Sequence, residues 1–175
     1  MSYEILHSKN TYKGKVVTVK EDLLRMPDEN EALREVVVRG NASAVVPVDS
    51  NGNILFVRQY RHAFEEMVLE IPAGMIEDGE DPFDCIKREL EEETGYYSDE
   101  IEFLCQMYPS TGFCTEKVYL YQAKELKKGK HHLDKDEFVE LERYSLDEAI
   151  CMILDGRIKD GKTITAILLY KTMHK

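Results

Sequence analysis

The sequence has no long apolar run, and no stretch approaches the ~20 apolar residues that a membrane span requires. Its opening residues, MSYEILHSKN, also lack the basic region followed by an apolar region that marks a secretory signal. We therefore expect a soluble, cytoplasmic protein with no membrane partner.

Cysteine is scarce, with 4 residues in a chain of 175. The cysteines form neither a CxxC pair nor a Cys/His ligand spacing, which argues against a structural zinc site or a secreted disulfide framework. We expect reduced, mostly buried thiols at Cys85, Cys105, Cys114 and Cys151.

Positive charge is also in short supply, because 23 Lys and Arg face 34 Asp and Glu, for a net charge of -11. A nucleic-acid polymer is bound through clustered Lys and Arg, so we expect no such partner. An acidic enzyme still binds a small phosphorylated substrate if metal ions bridge the two sets of negative charge. The charge balance is a first indication of a cation.

Short β-branched or period-two runs predict strands through much of the chain, with Asn51-Gly52 marking a hairpin and Pro72-Ala73-Gly74 an irregular loop. Mostly antiparallel strands with segregated helices indicate an α+β fold, an α/β/α sandwich. The predicted strands cover residues 15–20, 33–38, 44–48, 54–60, 68–71, 101–108, 117–123 and 138–144.

Capping residues predict three helices. Asp81 is a good N-cap followed by Pro82, and Gly95 closes the first helix. Ser145 and Glu148 form a capping box for a helix to about residue 154, and a third helix runs from residue 163 to about 174. In the first helix an apolar stripe is predicted to face the core: Phe83, Ile86 and Leu90.

The polar side of the first helix carries Glu89, Glu92 and Glu93, which we call the acidic turn. Their i, i+3 and i+4 spacing places three like charges on one face, which destabilises an isolated helix. A solvated acidic face is the ordinary interpretation of a Glu-rich helix. Here the neighbouring Gly-containing loop would add carbonyl oxygens, so the site suits Mg²⁺ or Mn²⁺. Arg88 is predicted to pair with Glu92 or Glu80.

The segment 74–96 resembles the Nudix box in residue type and spacing. The matching residues are Gly74, Glu80, Arg88, Glu89, Leu90, Glu92, Glu93 and Gly95, with Tyr96 where an aliphatic residue is commoner. The resemblance implies the Nudix fold, with a mixed or antiparallel sheet. It also implies metal ligation by Glu89, Glu93 and the backbone carbonyl of Ala73, with Glu92 as a nearby catalytic residue. Glu80, Arg88 and Gly95 would be structural.

Outside the box the chain is similar to the ADP-ribose pyrophosphatase subgroup, through Val57-Arg58-Gln59-Tyr60-Arg61, residues 69–74 and Pro109. That similarity implies substrate contacts from Arg61, Glu70, Gly74 and Met75. Two alternatives stay open, since Arg61 is equally a surface cation on a strand, and Glu70 would instead pair with Arg58 or Arg61.

The same resemblance implies metal-dependent hydrolysis of a nucleoside diphosphate derivative, with ADP-ribose giving AMP and ribose 5-phosphate. A nucleotide sugar, a dinucleotide and a diadenosine compound stay open as substrates. The general base would lie in a loop after the box, at Glu137, with Asp134 and Asp136 as alternatives. Family members of this type are commonly homodimers with exchanged N-terminal strands, so residues 1–42 are assigned to a β-rich dimerisation region and 43–175 to the hydrolase domain.

Three other interpretations of the sequence compete with this one. Residues 156–163, GRIKDGKT, match the P-loop pattern, but a predicted helix precedes them and Asp160 would place a negative charge in a phosphate cradle, so we predict a helix–helix turn. A calcium loop from Asp134 fails, because Val139 and Ser145 stand where Gly and Glu are needed. A nucleotide sensor that keeps the fold without cleavage is a third possibility.

Overall fold

The computed structural model describes residues 2–130 and 138–174. None of the helices in these ranges combines the length and apolarity needed to cross a membrane. The elements are β1 (Glu4–Lys13), β2 (Thr18–Arg25), β3 (Glu31–Val38), β4 (Ala42–Pro47), β5 (Asn53–Arg61), β6 (Glu66–Glu70), β7 (Ala73–Met75), α1 (Pro82–Thr94), β8 (Tyr96–Tyr97), β9 (Glu100–Met107), β10 (Val118–Lys124), β11 (Lys127–Lys128), β12 (Val139–Ser145), α2 (Leu146–Leu154) and α3 (Gly161–Met173).

The chain divides into two compact units, and the first comprises Met1–Asn41 with Tyr108–Lys117. Its strands form an antiparallel sheet in the order β1-β2-β3. β1 was not predicted, because nine of its ten residues are exposed and no apolar alternation marks it. The strand predicted at 15–20 begins later and runs to Arg25, since the charged residues after Lys20 pair with both neighbouring strands.

The second unit comprises Ala42–Met107 with Val118–Lys175 and contains two larger sheets. One is mixed, in the order β7-β4-β10-β9, and the other is antiparallel, in the order β12-β5-β6. Successive residues of β4 point to opposite faces, as the two-residue period of a strand requires. Ala44 and Val46 join a core that includes Ala166 of α3, whereas Val45 joins Ile86 of α1. Helices therefore cover both faces of this sheet, and the predicted α+β sandwich is confirmed.

Two predictions about this unit are wrong in part. The turn at Asn51-Gly52 exists, with Gly52 at a φ of 80°, and an isolated bridge joins Val48, just after β4, to Ile54 of β5, but β4 and β5 belong to different sheets. β4 is buried along its whole length and pairs instead with β10 and β7. The predicted irregular loop is likewise a short strand from Ala73, because its backbone pairs with β4.

The helix boundaries largely follow the predicted caps. Asp81 accepts a hydrogen bond from the backbone N–H of Phe83 at 2.8 Å, and Gly95 ends α1 at a φ of 71°. Phe83 was wrongly assigned to the core, since it is 39% exposed and stacks edge-on against Tyr121. Helix α3 begins at Gly161 rather than at residue 163, because Asp160 is its N-cap.

The cysteine prediction is confirmed for the free thiols and wrong for their burial. All four cysteines are free, as expected from their spacing. Only one of them is buried, because three lie on partly open strands, turns or helix faces: Cys85 is buried, Cys105 and Cys114 are half-buried and Cys151 is exposed.

Candidate active site

Two carboxylates of the acidic turn meet the backbone segment that follows β6. The backbone N–H of Ala73 donates to Glu93 Oε2 at 3.0 Å. At Gly74 a methyl group would overlap the carboxylate of Glu89, so the glycine makes room for that side chain. Glu89 and Glu93 are 8% and 2% exposed. Helix α1 therefore directs two nearly buried carboxylates at the turn between β6 and β7.

Arg88 neutralises part of this charge. Its Nε and Nη2 atoms donate to Glu80 at 3.0 and 3.1 Å, and its Nη1 atom donates to Glu89 at 2.6 Å and Glu92 at 3.0 Å. The predicted pairing with Glu80 and Glu92 is confirmed, and the bond to Glu89 was not foreseen. Hydrogen bonding to Glu80 is the main reason that the pKa of Arg88 is raised, and the same bond lowers the pKa of Glu80. Three carboxylates around one guanidinium leave an excess of negative charge.

The donor set at this turn fits a hard divalent cation. Among residues 2–130 and 138–174, no three acidic, histidine or cysteine side chains converge into a ready metal cage. The candidate donors are the carboxylates of Glu89 and Glu93, which lie at this backbone segment, together with the Ala73 carbonyl that the Nudix resemblance implies. Mg²⁺ commonly binds through one or two carboxylates, keeps several waters and is completed by substrate phosphates. Glu92 is about one-third exposed and bonds to Arg88, so it lies beside this set.

Arg61 and Glu70 lie together at the end of the β5–β6 pair. Arg61 donates from Nε and Nη2 to the two oxygens of Glu70 at 2.6 and 2.8 Å. Of the two partners left open for Glu70, Arg61 is the one found, and Arg58 pairs with Glu142 instead. The charge of Glu93 helps raise the pKa of Arg61, after the hydrogen bond to Glu70, so the pair lies near the acidic turn.

Glu70 has a second cation that sequence reasoning missed. Lys162, at the start of α3, also donates to the Glu70 carboxylate, which is 2% exposed. Burial opposes ionisation of this group. The hydrogen bond from Arg61 and the charge of Lys162 more than offset that burial, so the pKa of Glu70 is lowered. The only sequence signal for Lys162 was the P-loop-like match, which we interpreted as a turn.

The remaining predicted site residues lie partly within the site and partly outside the described residues. Met75 is 40% exposed, and its carbonyl accepts a hydrogen bond from Arg88 at 3.3 Å. Cys85 packs its thiol against the Gly74 and Met75 carbonyls, and burial raises its pKa to about 12. The proposed base Glu137 and its alternatives Asp134 and Asp136 lie outside the described residues.

The P-loop alternative is not supported by the structure. Residues 156–163 connect α2 to α3, so no strand precedes them. Asp160 accepts a hydrogen bond from the backbone N–H of Thr163 at 2.9 Å, which places a carboxylate where a P-loop would hold phosphate. The predicted helix–helix turn is confirmed.

Comparison with known proteins supports the same family. The NUDIX domain family matches residues 38–167. The "Methanol dehydrogenase activator" of Bacillus methanolicus is 40% identical over 164 residues, which is 93% of this chain and 89% of the relative. The "ADP-ribose pyrophosphatase" of Bacillus subtilis (strain 168) is 37% identical over 158 residues, covering 89% of this chain and 85% of the relative.

A solved structure agrees in fold. The crystal structure of an "ADP compounds hydrolase" superposes with a TM-score of 0.90 at 20% identity, covering 99% of this chain and 94% of the other. The chain belongs to the Nudix family. The resemblance to its ADP-ribose pyrophosphatase subgroup, which the sequence motifs indicated, is confirmed by the relatives.

Proposed function

We propose that this protein is a pyrophosphohydrolase that cleaves ADP-ribose to AMP and ribose 5-phosphate. The observation that carries the proposal is the pair of buried carboxylates of the Nudix box, Glu89 and Glu93, which meet the backbone of Ala73 and Gly74 at the start of β7. The acidic turn has more negative charge than Arg88 neutralises, so a cation and a diphosphate together would balance that charge. The relative named for ADP-ribose supports the choice of substrate.

Glu89, Glu93 and the carbonyl of Ala73 would hold Mg²⁺ or Mn²⁺. A bound ion of this kind polarises phosphoryl oxygens and offsets the charge that builds on the leaving phosphate. Arg61 would contact the diphosphate, and its 40% exposed side chain with one edge bonded to Glu70 supports that role. Glu92 would assist from the exposed side of the acidic turn, and Gly74 and Met75 would line the substrate.

The reaction adds water to one phosphorus and breaks the bridging P–O bond. The proton of the attacking water goes to a carboxylate, for which Glu137 is proposed, with Asp134 and Asp136 as alternatives. The other phosphate leaves with the bridging oxygen.

Glu80 and Arg88 hold the loop before α1, because both guanidinium edges of Arg88 bond to groups of the box.

The test is a substrate panel with product chromatography. Purified protein is incubated with ADP-ribose, a nucleotide sugar, a dinucleotide cofactor and a diadenosine compound, each with Mg²⁺, with Mn²⁺ and with a chelator. We expect AMP and ribose 5-phosphate from ADP-ribose, and no products with the chelator. A faster reaction with another member of the panel would correct the substrate, and hydrolysis that persists in chelator would refute the metal assignment.

A second candidate is a regulator that binds a nucleotide and acts on a partner enzyme. The name of the Bacillus methanolicus relative, an activator of a dehydrogenase, favours it. Metal-dependent release of AMP from ADP-ribose separates the two functions when it is measured without any partner protein. Tight binding without product would favour the regulator.

We also propose a cytoplasmic homodimer in which residues 1–42 form the subunit interface. The exposed apolar side chains on β1 and β3, among them Ile5 and Leu33, would be covered by such an interface. Light scattering coupled to size-exclusion chromatography is expected to give twice the chain mass of 20.3 kDa. A monomer mass would refute the dimer.

A further inference from the structure

The P-loop-like segment, residues 156–163, contacts the backbone that leads into the candidate active site. The hydroxyl of Thr163 donates to Asp160 Oδ2 at 2.6 Å and accepts from the backbone N–H of Ile71 at 2.9 Å. Thr163 is 0% exposed, so these bonds are not shared with bulk water. Ile71 lies two residues before Ala73, whose N–H bonds to Glu93. The start of α3 is therefore attached to the backbone that carries the site.

Lys162 makes a second attachment at the same place. Its ammonium donates to Glu70 and, at 3.0 Å, to Asp160 Oδ2. Its side chain is 15% exposed, against 60% for Lys159 in the same turn, which pairs with Glu66. Lys162 is 92 residues from Glu70 along the chain, so only the folded protein brings them together.

The charges of this group balance. Two carboxylates, Glu70 and Asp160, face two cations, Arg61 and Lys162, and we call these four residues the buried charge network. A carboxylate held from two sides by cations has one favoured orientation, because rotation would break charge-assisted hydrogen bonds in a site with little water. Removing Lys162 would leave Glu70 with fewer restraints, and the guanidinium bonded to Glu70 would become less ordered.

We propose that Lys162 is a positioning residue. Its bond to the Glu70 carboxylate fixes Glu70, and Glu70 then holds the Arg61 guanidinium in the orientation that binds the diphosphate. This inference rests on the proposed function for the role of Arg61. Lys162 itself contacts no substrate in this proposal. Its effect passes through Glu70 to Arg61. The proposal therefore does not require residues 156–163 to bind phosphate as a P-loop does.

The main test compares Lys162→Met with the matched control Lys159→Met. We expect Lys162→Met to raise KM for ADP-ribose about tenfold, the low end for losing a partner that orients a ligand-contacting group, with kcat changed less than about twofold. Lys159→Met should keep the wild-type KM, since Lys159 is an exposed partner of Glu66. A wild-type KM in Lys162→Met would overturn the proposal, and so would a loss in kcat alone.

A double-mutant cycle tests the route through Arg61. In an Arg61→Ala background, Lys162→Met should produce no further rise in KM, because there is no guanidinium left to orient. An additional tenfold rise there would show that Lys162 acts independently and would overturn the proposal. Lys162→Arg restores the charge, so it should recover part of the lost affinity, and equal impairment in the Met and Arg variants would also contradict the mechanism.

Two measurements keep the test decisive. If Lys162→Met does not fold, the same cycle is run with Lys162→Gln, which keeps a hydrogen-bond donor. Calorimetric binding of a non-hydrolysable ADP-ribose analogue in Mg²⁺ needs no turnover and should show the same tenfold difference between wild type and variant. If the wild type does not hydrolyse ADP-ribose but Lys162→Met still binds more weakly than the wild type, the proposed function alone is refuted. Absence of binding by the wild type would refute both.

Discussion

The acidic turn and the buried charge network flank the same short piece of backbone, yet they differ in charge balance. Around Arg88, three carboxylates share one guanidinium. In the network, two carboxylates face two cations. A group with balanced charges is satisfied within the protein, whereas an unbalanced one creates a demand for an external cation. The difference teaches that acidic residues indicate a cation site when the neighbouring cations of the protein are too few to balance them.

The largest effect should come from removing a carboxylate of the acidic turn. Glu93→Gln keeps an oxygen that accepts from the Ala73 N–H but removes the negative charge, so we expect hydrolysis to fall by at least ~100-fold, as for loss of one electrostatic group aimed at the reacting centre. The measurement is the initial rate of AMP release at saturating Mg²⁺. Glu91→Gln is the matched control on the same helix, since Glu91 bonds to the Lys130 backbone. An unchanged rate in Glu93→Gln would remove the ligand assignment.

A second and smaller effect should follow from filling the space beside Glu89. In Gly74→Ala the new methyl group displaces the Glu89 carboxylate, which is the flexible end of a side chain. We expect the rate to fall about tenfold, within the range for displaced ligand-orienting groups, while the melting temperature changes by no more than a surface substitution would change it. Rates and thermal unfolding are measured on the same sample. A large loss of stability with an intact rate would contradict the role of this glycine.

The smallest effect on kcat and the clearest effect on stability should come from the buried charge network. Glu70→Gln leaves Arg61 without its carboxylate partner and Lys162 paired with Asp160 alone, and we expect it to lower the free energy of unfolding by roughly 1–3 kcal/mol. This is below the usual cost of breaking a fully buried pair, because Arg61 is partly solvated. Chemical denaturation at neutral pH measures it.

The pH dependence gives this prediction its sign. The pKa of Glu70 is lowered in the folded protein, so its contribution is complete above the unfolded value of about 4.3 and is lost as the pH falls through the folded value. The stability difference between wild type and Glu70→Gln should therefore shrink as the pH is lowered below about 4. A difference that stays constant into strong acid would show that the charge of Glu70 does not stabilise the fold.

Much of the fold and of the acidic turn was predictable because the signals are local. The Asp81 cap, the end of α1 at Gly95 and the capping box at Ser145 each depend on residues within a few positions of one another. The acidic turn follows in the same way from helical spacing. Strand β1 was missed for the opposite reason, since its side chains are exposed and its pairing partner supplies the order.

By itself, the sequence determined the family and the positions of the acidic-turn carboxylates on α1, because a box of fixed spacing within one loop and one helix needs no knowledge of distant contacts. Only the tertiary structure decided that Glu70 joins Arg61 to Lys162, and that the P-loop-like segment supports Ile71 through Thr163. The contacts of Lys162 with Glu70 and of Thr163 with Ile71 join residues 92 positions apart in the chain. Their pairing depends on how the start of α3 meets the end of β6, which no local pattern specifies.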